Sequence, residues 1–544
     1  MSTAPTLPRS SLEAALAHID AFLAASPSVQ IAPGLALAIT DRERLLAVRN
    51  VGFANLDAQL PVSDDTLFEF GSIGKSFTAI CLLQLAEEGI VDLHAPVTAY
   101  LPWFAVRSQY EPITLHHLLS HTSGLISGSD ASPDGRYEVW ALRETEAAEP
   151  GGRARYSNVG YKVLGLVLEA VTGTPYPQLV EERILTPLGM NQSVAALTHE
   201  VRPRLAVGYT GQYPDRPWRP DYGFVPAFCL ETNTGDGCLA STAADLAAYL
   251  RMLLNGGRGP RGPVLSEASF ALMTTPHGTF GSGNVYGYGL SLGEMNGRRR
   301  IGHGGGMVGF SASMVGDFDA GIGVIVFKNA IQGTDDIAEF ALQTVIAARL
   351  GEPLPEPEAP PVIDFTGYAG AYRDGDGTFA VDAEDGQLVL RQANQRIVLD
   401  PLGVPPEPDR FLAQDLALAL VPYRFQRGED GRIEGLVHGA RWYPAVGHDG
   451  PTEFDTPPEW NAFPGHYRSH NPWQPGFRIV LRQGALWLIS PWGEETLLHP
   501  HGDGFHSHDE PEGPEFFVFD TVVDGQALRV RSPGGETFYR FFTP

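Results

Sequence analysis

The sequence predicts an α+β molecule: an antiparallel sheet flanked by helices, with a helical lobe inserted, followed by two antiparallel β-barrel domains. Three observations carry this. Residues 1–350 begin helix–strand–strand and end strand–strand–strand–helix, an order that one sheet with its terminal helices accounts for. A proline-rich stretch follows, Gly351-Glu352-Pro353-Leu354-Pro355-Glu356-Pro357-Glu358-Ala359-Pro360-Pro361, which reads as a stiff linker. Beyond it, helical periodicity is scarce, alternating apolar runs between Gly, Asp and Pro turns dominate, and the pattern repeats itself. The expected divisions are 1–350, the linker 351–361, a first barrel at 362–450 and a second at 451–544.

Each element has a local reason. Ser11 to Leu23 has the spacing of an amphipathic helix. Leu35 to Ile39 and Arg44 to Val51, joined by polar Thr40-Asp41-Arg42-Glu43, read as a hairpin. A helix carries Ser72 through Phe77, Ile80, Cys81, Leu83 and Leu85 and stops at Gly89. From there to about Asn255 the pattern is mostly helical with long loops. Thr114 is placed to cap Leu115 to Leu119, and Asn158 to cap Val159 to Val171, with Gly173 beyond the end. Arg299 to Gly302, Phe310 to Val315 and Ile322 to Phe327 are the closing strands, and Ile337 to Leu350 the closing helix. In the tail, Phe365-Thr366-Gly367-Tyr368-Ala369-Gly370-Ala371-Tyr372-Arg373 resembles Phe463-Pro464-Gly465-His466-Tyr467-Arg468. Asp385 to Leu390 resembles Gln483 to Leu488, and Phe425 to Gly431 resembles Phe519 to Gly525. The repeat distance is that of a small domain, far beyond solenoid periods.

Bulk properties remove several functions. The 544 residues carry a formal net charge of −26, which repels nucleic acid and anionic membrane surfaces. Cys81, Cys229 and Cys238 are too few for a disulfide framework, and Cys81 falls on an apolar helical run as a small hydrophobe. Neither C-x-x-C nor H-E-x-x-H occurs, so no metal and no cofactor are expected. Residues Met1 to Ser10 lack the apolar run of an export signal, and no apolar stretch is long enough to span a bilayer; a cytoplasmic location is the expectation. Assembly into a homo-oligomer is compatible with the sequence, which does not specify it.

The chain has only three lysines, Lys75, Lys162 and Lys328; every other permanent side-chain cation is arginine. Arginine supplies charge but does not release its proton, whereas a buried lysine can become neutral and act as a base. Lys75 lies three residues after Ser72, so the two share a helical face. A serine hydroxyl is a weak nucleophile that needs such a base. Alone, S-x-x-K is weak, and Ser72 reads equally as a helix cap. Two further groups follow in order, Tyr156-Ser157-Asn158 and His303-Gly304-Gly305. Tyr156 alone reads as a loop aromatic over a core edge, and Asn158 as a cap.

With these three pieces, and with Leu118-Leu119-Ser120-His121-Thr122-Ser123-Gly124-Leu125, Ile184-Leu185-Thr186-Pro187-Leu188-Gly189-Met190 and Gly237-Cys238-Leu239-Ala240-Ser241-Thr242-Ala243-Ala244-Asp245-Leu246, the chain resembles the penicillin-recognising serine hydrolases over roughly residues 10 to 350. That family includes class C β-lactamases, DD-peptidases, esterases and D-aminopeptidases, and its motifs are S-x-x-K, Y-x-N and K-T-G or H-x-G. The resemblance implies a β-lactamase-like fold and acyl transfer, with Ser72 as nucleophile and Lys75 and Tyr156 moving its proton. Which of the two is the first base stays open. Asn158 would orient Lys75 and a substrate carbonyl. Gly305 and the strand edge would receive substrate, and the Gly306 and Ser72 N–H groups would form an oxyanion hole. His303 stands where lactamases have lysine, which points to the esterase and D-aminopeptidase branch.

A catalytic domain followed by two barrels resembles the D-aminopeptidase and D-amino-acid amidase architecture. There a barrel loop restricts the cleft to small substrates with a free amine; here His499 to Glu515 is the matching loop, with Asp503 or Asp509 as ammonium ligands, or else a solvated surface loop. The expected substrate is a small amide or peptide, the alternative an ester for a broad carboxylesterase, and a different class altogether is an inactive scaffold. Two decoys are set aside. Gly304-Gly305-Gly306-Met307-Val308-Gly309 fits G-x-G-x-x-G but precedes a strand where dinucleotide binding needs a helix. His121-Thr122-Ser123-Gly124 invites a catalytic role, but the resemblance implies a structural turn there, and it is left out of the catalytic set.

Overall fold

The computed structural model describes residues 7–128, 134–331, 333–358, 362–392, 395–403, 406–507, 513–532 and 536–542. The chain divides into two compact units, Met1–Thr210 with Val225–Pro357, and Gly211–Phe224 with Glu358–Pro544.

The first unit is built on a nine-stranded sheet. Helix α1, Arg9–Ala25, buries Ala15, Ile19 and Leu23, spaced four apart in the stripe expected of an amphipathic helix. Strands β1 (Gly34–Asp41) and β2 (Leu45–Asn55) form the predicted hairpin, with Leu35 opposite Val51. All eight residues of β1 are buried, which explains its unbroken apolar run: the strand is covered on both faces. The short β3 (Leu60–Pro61), β4 (Gly278–Thr279), β5 (Val285–Tyr286) and β6 (Ser291–Met295) join the long β7 (Arg298–Met307), β8 (Phe310–Asp317) and β9 (Ile322–Lys328) in the order β4-β5-β6-β7-β8-β9-β1-β2-β3.

Among the helices are α2 (Gly74–Glu87), α3 (Leu115–Leu119), α4 (Asn158–Thr172), α5 (Ala243–Leu254) and α6 (Asp335–Leu350), with further short helices and turns between. On one face of the sheet, Ile19 and Leu23 of α1 and Ile337 and Val345 of α6 share a core with Leu37, Val324 and Val326. On the other face α5 presses Leu250 and Leu254 onto the cross-strand pair Gly316 and Gly323. A Cβ at Gly323 would stand 2.4 Å from Leu250 Cδ2, so these glycines set how closely α5 lies on the sheet.

Strand β7 differs from its expected form in a useful way. The His303-Gly304-Gly305 run does not follow a strand but lies inside one, because pairing with β8 continues to Met307 opposite Phe310. Pairing with β6 stops at Gly302 opposite Ser291. From His303 onward, β7 therefore has a free edge. The G-x-G-x-x-G decoy ends in the turn to β8 and opens no helix.

In the second unit, eight antiparallel strands from Gly370–Asp374 to Arg441–Pro444 follow in sequence order, their ends joined by the single bridge Tyr372–Ala445. The next eight, Gly465–Arg468 to Thr537–Phe541, close fully into a barrel. The repeat seen in sequence is physical. Tyr372 and Tyr467 are buried, and each donates its hydroxyl to the carbonyl four residues upstream, at Tyr368 and Phe463. Phe425 and Phe519 occupy the two cores. Asp385-Gly386 and Gln483-Gly484 both turn with two successive positive φ angles, the geometry of a tight hairpin.

Candidate active site

Ser72 lies in a short 3-10 turn, Gly71–Ile73, that runs straight into α2. Its hydroxyl caps nothing. It accepts a hydrogen bond from Lys75 Nζ at 3.0 Å. Lys75 is fully buried, while Ser72 is half-buried. The amine also donates to Asn158 Oδ1 at 2.7 Å and to the Asp236 carbonyl at 2.8 Å. This geometry serves two protonation states. A charged Lys75 donates to all three oxygens; a neutral one keeps two donations, to the amide and the carbonyl, and turns its lone pair to the Ser72 hydroxyl.

Asn158 reaches Lys75 because it is not the cap of α4. The cap is Ser157, whose Oγ accepts from Gly160 N–H at 3.0 Å and donates to Ile126 O at 2.6 Å. The expected cap thus moves by one residue, and the Asn158 amide is released for the amine. The Thr114 and Gly173 expectations hold as written: Thr114 forms a capping box with His117, and Gly173 ends α4 in the left-handed conformation. Tyr156 presents its ring to Lys75, with Nζ 4.8 Å from the centroid; Tyr161 does so at 5.7 Å. Such contacts favour a cation over an aromatic face.

The free edge of β7 lies against the Ser72 turn. A Cβ at Gly305 would sit 1.9 Å from Phe70 O, and one at Gly71, where φ is +50°, would sit 2.3 Å from Gly306 O. Only glycines permit backbones this close, and the approach sets Gly306 beside the nucleophile's turn. His303 is buried with both nitrogens engaged, Nε2 with the Tyr286 hydroxyl at 2.8 Å and Nδ1 with Gly304 O at 2.5 Å. The carbonyl requires an N–H at Nδ1, and in the neutral ring that burial favours, Nε2 then accepts from Tyr286. Burial, with the charge of Lys75 nearby, holds its pKa down at about 4. His303 is therefore no substitute for a lactamase lysine as a cation.

Of the sequence-predicted residues, Ser72, Lys75, Tyr156, Asn158, His303, Gly305 and Gly306 come together. Asp503 is an exposed turn residue between two strands of the second barrel, and Asp509 lies outside the described residues. Several neighbours escaped the sequence reading. The Asp236 carbonyl has no signature, because any residue supplies one. Tyr286 belongs to a two-residue strand. Lys162 carried a signal, being one of three lysines: it is 4% exposed and bonds Glu138 at 2.5 Å, with Asp236 Oδ2 at 4.0 Å, directly behind the site. His121 is also buried here, with its ring centroid 4.3 Å from that of Tyr156.

The beta-lactamase family model matches residues 19–348, the stretch that carries every one of these groups. The chain belongs to the beta-lactamase family. It is a serine hydrolase of that fold. Similar proteins include penicillin-binding protein 4 of Amycolatopsis lactamdurans, 29% identical over 364 residues, covering 63% of this chain and 94% of that protein. A D-aminopeptidase of Cereibacter sphaeroides is 28% identical over 544 residues, covering 95% of each chain. Among solved structures, the octameric penicillin-binding protein homologue from Pyrococcus abyssi aligns with TM-score 0.57 and 25% identity, covering 80% of this chain and 99% of that one. No described helix is long and apolar enough to cross a membrane.

Proposed function

We propose that this beta-lactamase family member cleaves small amide or peptide substrates of the D-aminopeptidase type through an acyl-enzyme on Ser72. Lys75 takes the Ser72 proton as the hydroxyl attacks the substrate carbonyl. The oxyanion is received by the Ser72 and Gly306 N–H groups. Tyr156 passes a proton to the departing amine, and water then releases the acid and restores Ser72. Asn158 holds Lys75 and the incoming carbonyl.

The observation that carries this reading is the environment of Lys75 Nζ: fully buried, 3.0 Å from the nucleophile and, among the described residues, otherwise hydrogen-bonded to an amide oxygen and a backbone carbonyl. These bonds include no carboxylate to fix its charge, as a general base requires. The amide preference draws support from the D-aminopeptidase similarity, which runs through both barrels. Turnover of D-alanine p-nitroanilide set against p-nitrophenyl acetate tests it. The proposal expects both to be cleaved, the anilide with D over L preference; cleavage of the ester alone would replace it with a carboxylesterase.

A further inference from the structure

We propose that His121 is a positioning residue for Tyr156, acting as a neutral, fully buried clamp on the backbone either side of it; this rests on the proton-transfer role assigned to Tyr156 above. The backbone N–H of Arg155 donates to His121 O at 2.7 Å, and that of Ser157 donates to His121 Nδ1 at 3.1 Å. One residue thus holds the backbone N–H groups of both chain neighbours of the tyrosine. Its ring lies on Tyr156 at a tilt of 36° and contacts Tyr286 at 4.8 Å and Tyr161 at 5.1 Å. Those contacts leave the Tyr156 ring little freedom to leave Lys75.

The backbone adds a second observation. His121 has φ +58°, a left-handed conformation uncommon outside glycine and, less strongly, asparagine, aspartate and histidine. Because Nδ1 accepts, the ring proton is on Nε2, and Nε2 has no hydrogen-bond partner among the described residues. A buried donor left unmet costs free energy, and such cost is tolerated where it serves a site. Burial first, then the charge of Lys75, holds the His121 pKa well below the usual imidazole value, so the ring keeps its acceptor at Nδ1 in the neutral range.

The test is a double-mutant cycle with His121→Asn and Tyr156→Phe. Asparagine tolerates the left-handed backbone and keeps an acceptor near the Nδ1 position, but lacks the ring. With D-alanine p-nitroanilide, whose amine must be protonated to leave, His121→Asn should lower kcat about tenfold and His121→Ala about 10²-fold, with KM little changed. With p-nitrophenyl acetate, whose leaving group departs as the anion, the loss should be smaller. In the Tyr156→Phe background, His121→Asn should add almost nothing.

An additive effect in that background overturns the His121 proposal and leaves Tyr156 in place. Unchanged turnover in Tyr156→Phe overturns the role of Tyr156 and this inference with it. If wild type cleaves only the ester, the amide reading fails and the same cycle is run on the ester. Nitrogen NMR of His121 in the wild-type protein gives a check that needs no variant: the neutral Nε2–H form is expected at pH 7, and a cationic ring contradicts the clamp.

Discussion

The two units hold their cations differently. All three lysines lie in the first unit and all are buried, Lys75 and Lys328 at 0% exposure and Lys162 at 4%. The second unit has no lysine. It uses arginine, mostly in partly exposed forks such as Arg427 on Asp409, Arg391 on Asp382 and Glu384, and Arg529 with Arg531 on Asp520. A guanidinium keeps its charge and matches a carboxylate with two bonds, which suits the outside of a barrel. An ammonium is compact and can lose its charge, which suits a reaction centre.

Among the three lysines the partners set the role. Glu138 and Asp236 surround Lys162 with negative charge. Lys328 donates to Gly333 O, and burial pushes its pKa down to about 8 against the pull of Asp336. Lys75 is hydrogen-bonded to the Ser72 hydroxyl.

This contrast can be broken in order of effect. Lys162→Met should cost about 3–5 kcal/mol of stability, because it removes the cation bonded to the buried Glu138 carboxylate; Lys162→Met with Glu138→Leu should recover most of it. Denaturant unfolding of both variants reads this, and equal stability of single and double variants would show that the pair is not what holds Lys162.

A smaller effect follows from acid. His303 and His116 both sit at about 4, each lowered first by burial from an ordinary 6.5. Between pH 6.5 and 4 the unfolded chain binds protons that the native rings refuse. Their contribution to stability is therefore complete above pH 6.5 and lost as pH falls toward 4. Unfolding free energy measured at pH 7 and at pH 4.5 should be lower at 4.5, and His303→Gln should flatten part of that slope.

The smallest effect belongs to the second unit. Arg529→Ala, at a partly exposed pair, should change stability least of the three, and 1 M salt should erase even that. A loss as large as that of Lys162→Met would erase the distinction between the units.

What was legible in sequence follows the range of the physics. Ser72 and Lys75 are one helical turn apart, so spacing alone put them on one face. The barrels announced themselves because Tyr372 and Tyr467, with the turns at Asp385-Gly386 and Gln483-Gly484, solve one local problem twice. Closure of the second barrel alone was not legible, since it depends on where the last strand meets the first. The cap of α4 was misplaced because Ser157 and Asn158 are both good caps, and the choice between them is made by Lys75, 83 residues away. His121 read as a turn residue, which its backbone bears out; what its ring touches depends on α4 and β5, and no spacing encodes that.

The central claim is that Ser72 is a nucleophile activated by the buried amine of Lys75. Labelling with a fluorophosphonate, followed by peptide mass spectrometry, tests it most directly in wild type and in Lys75→Arg, which keeps the charge and removes the base. The account predicts one adduct, on Ser72, forming about 10²–10⁴-fold more slowly in the variant. Labelling elsewhere, or at an undiminished rate in folded Lys75→Arg, would contradict it.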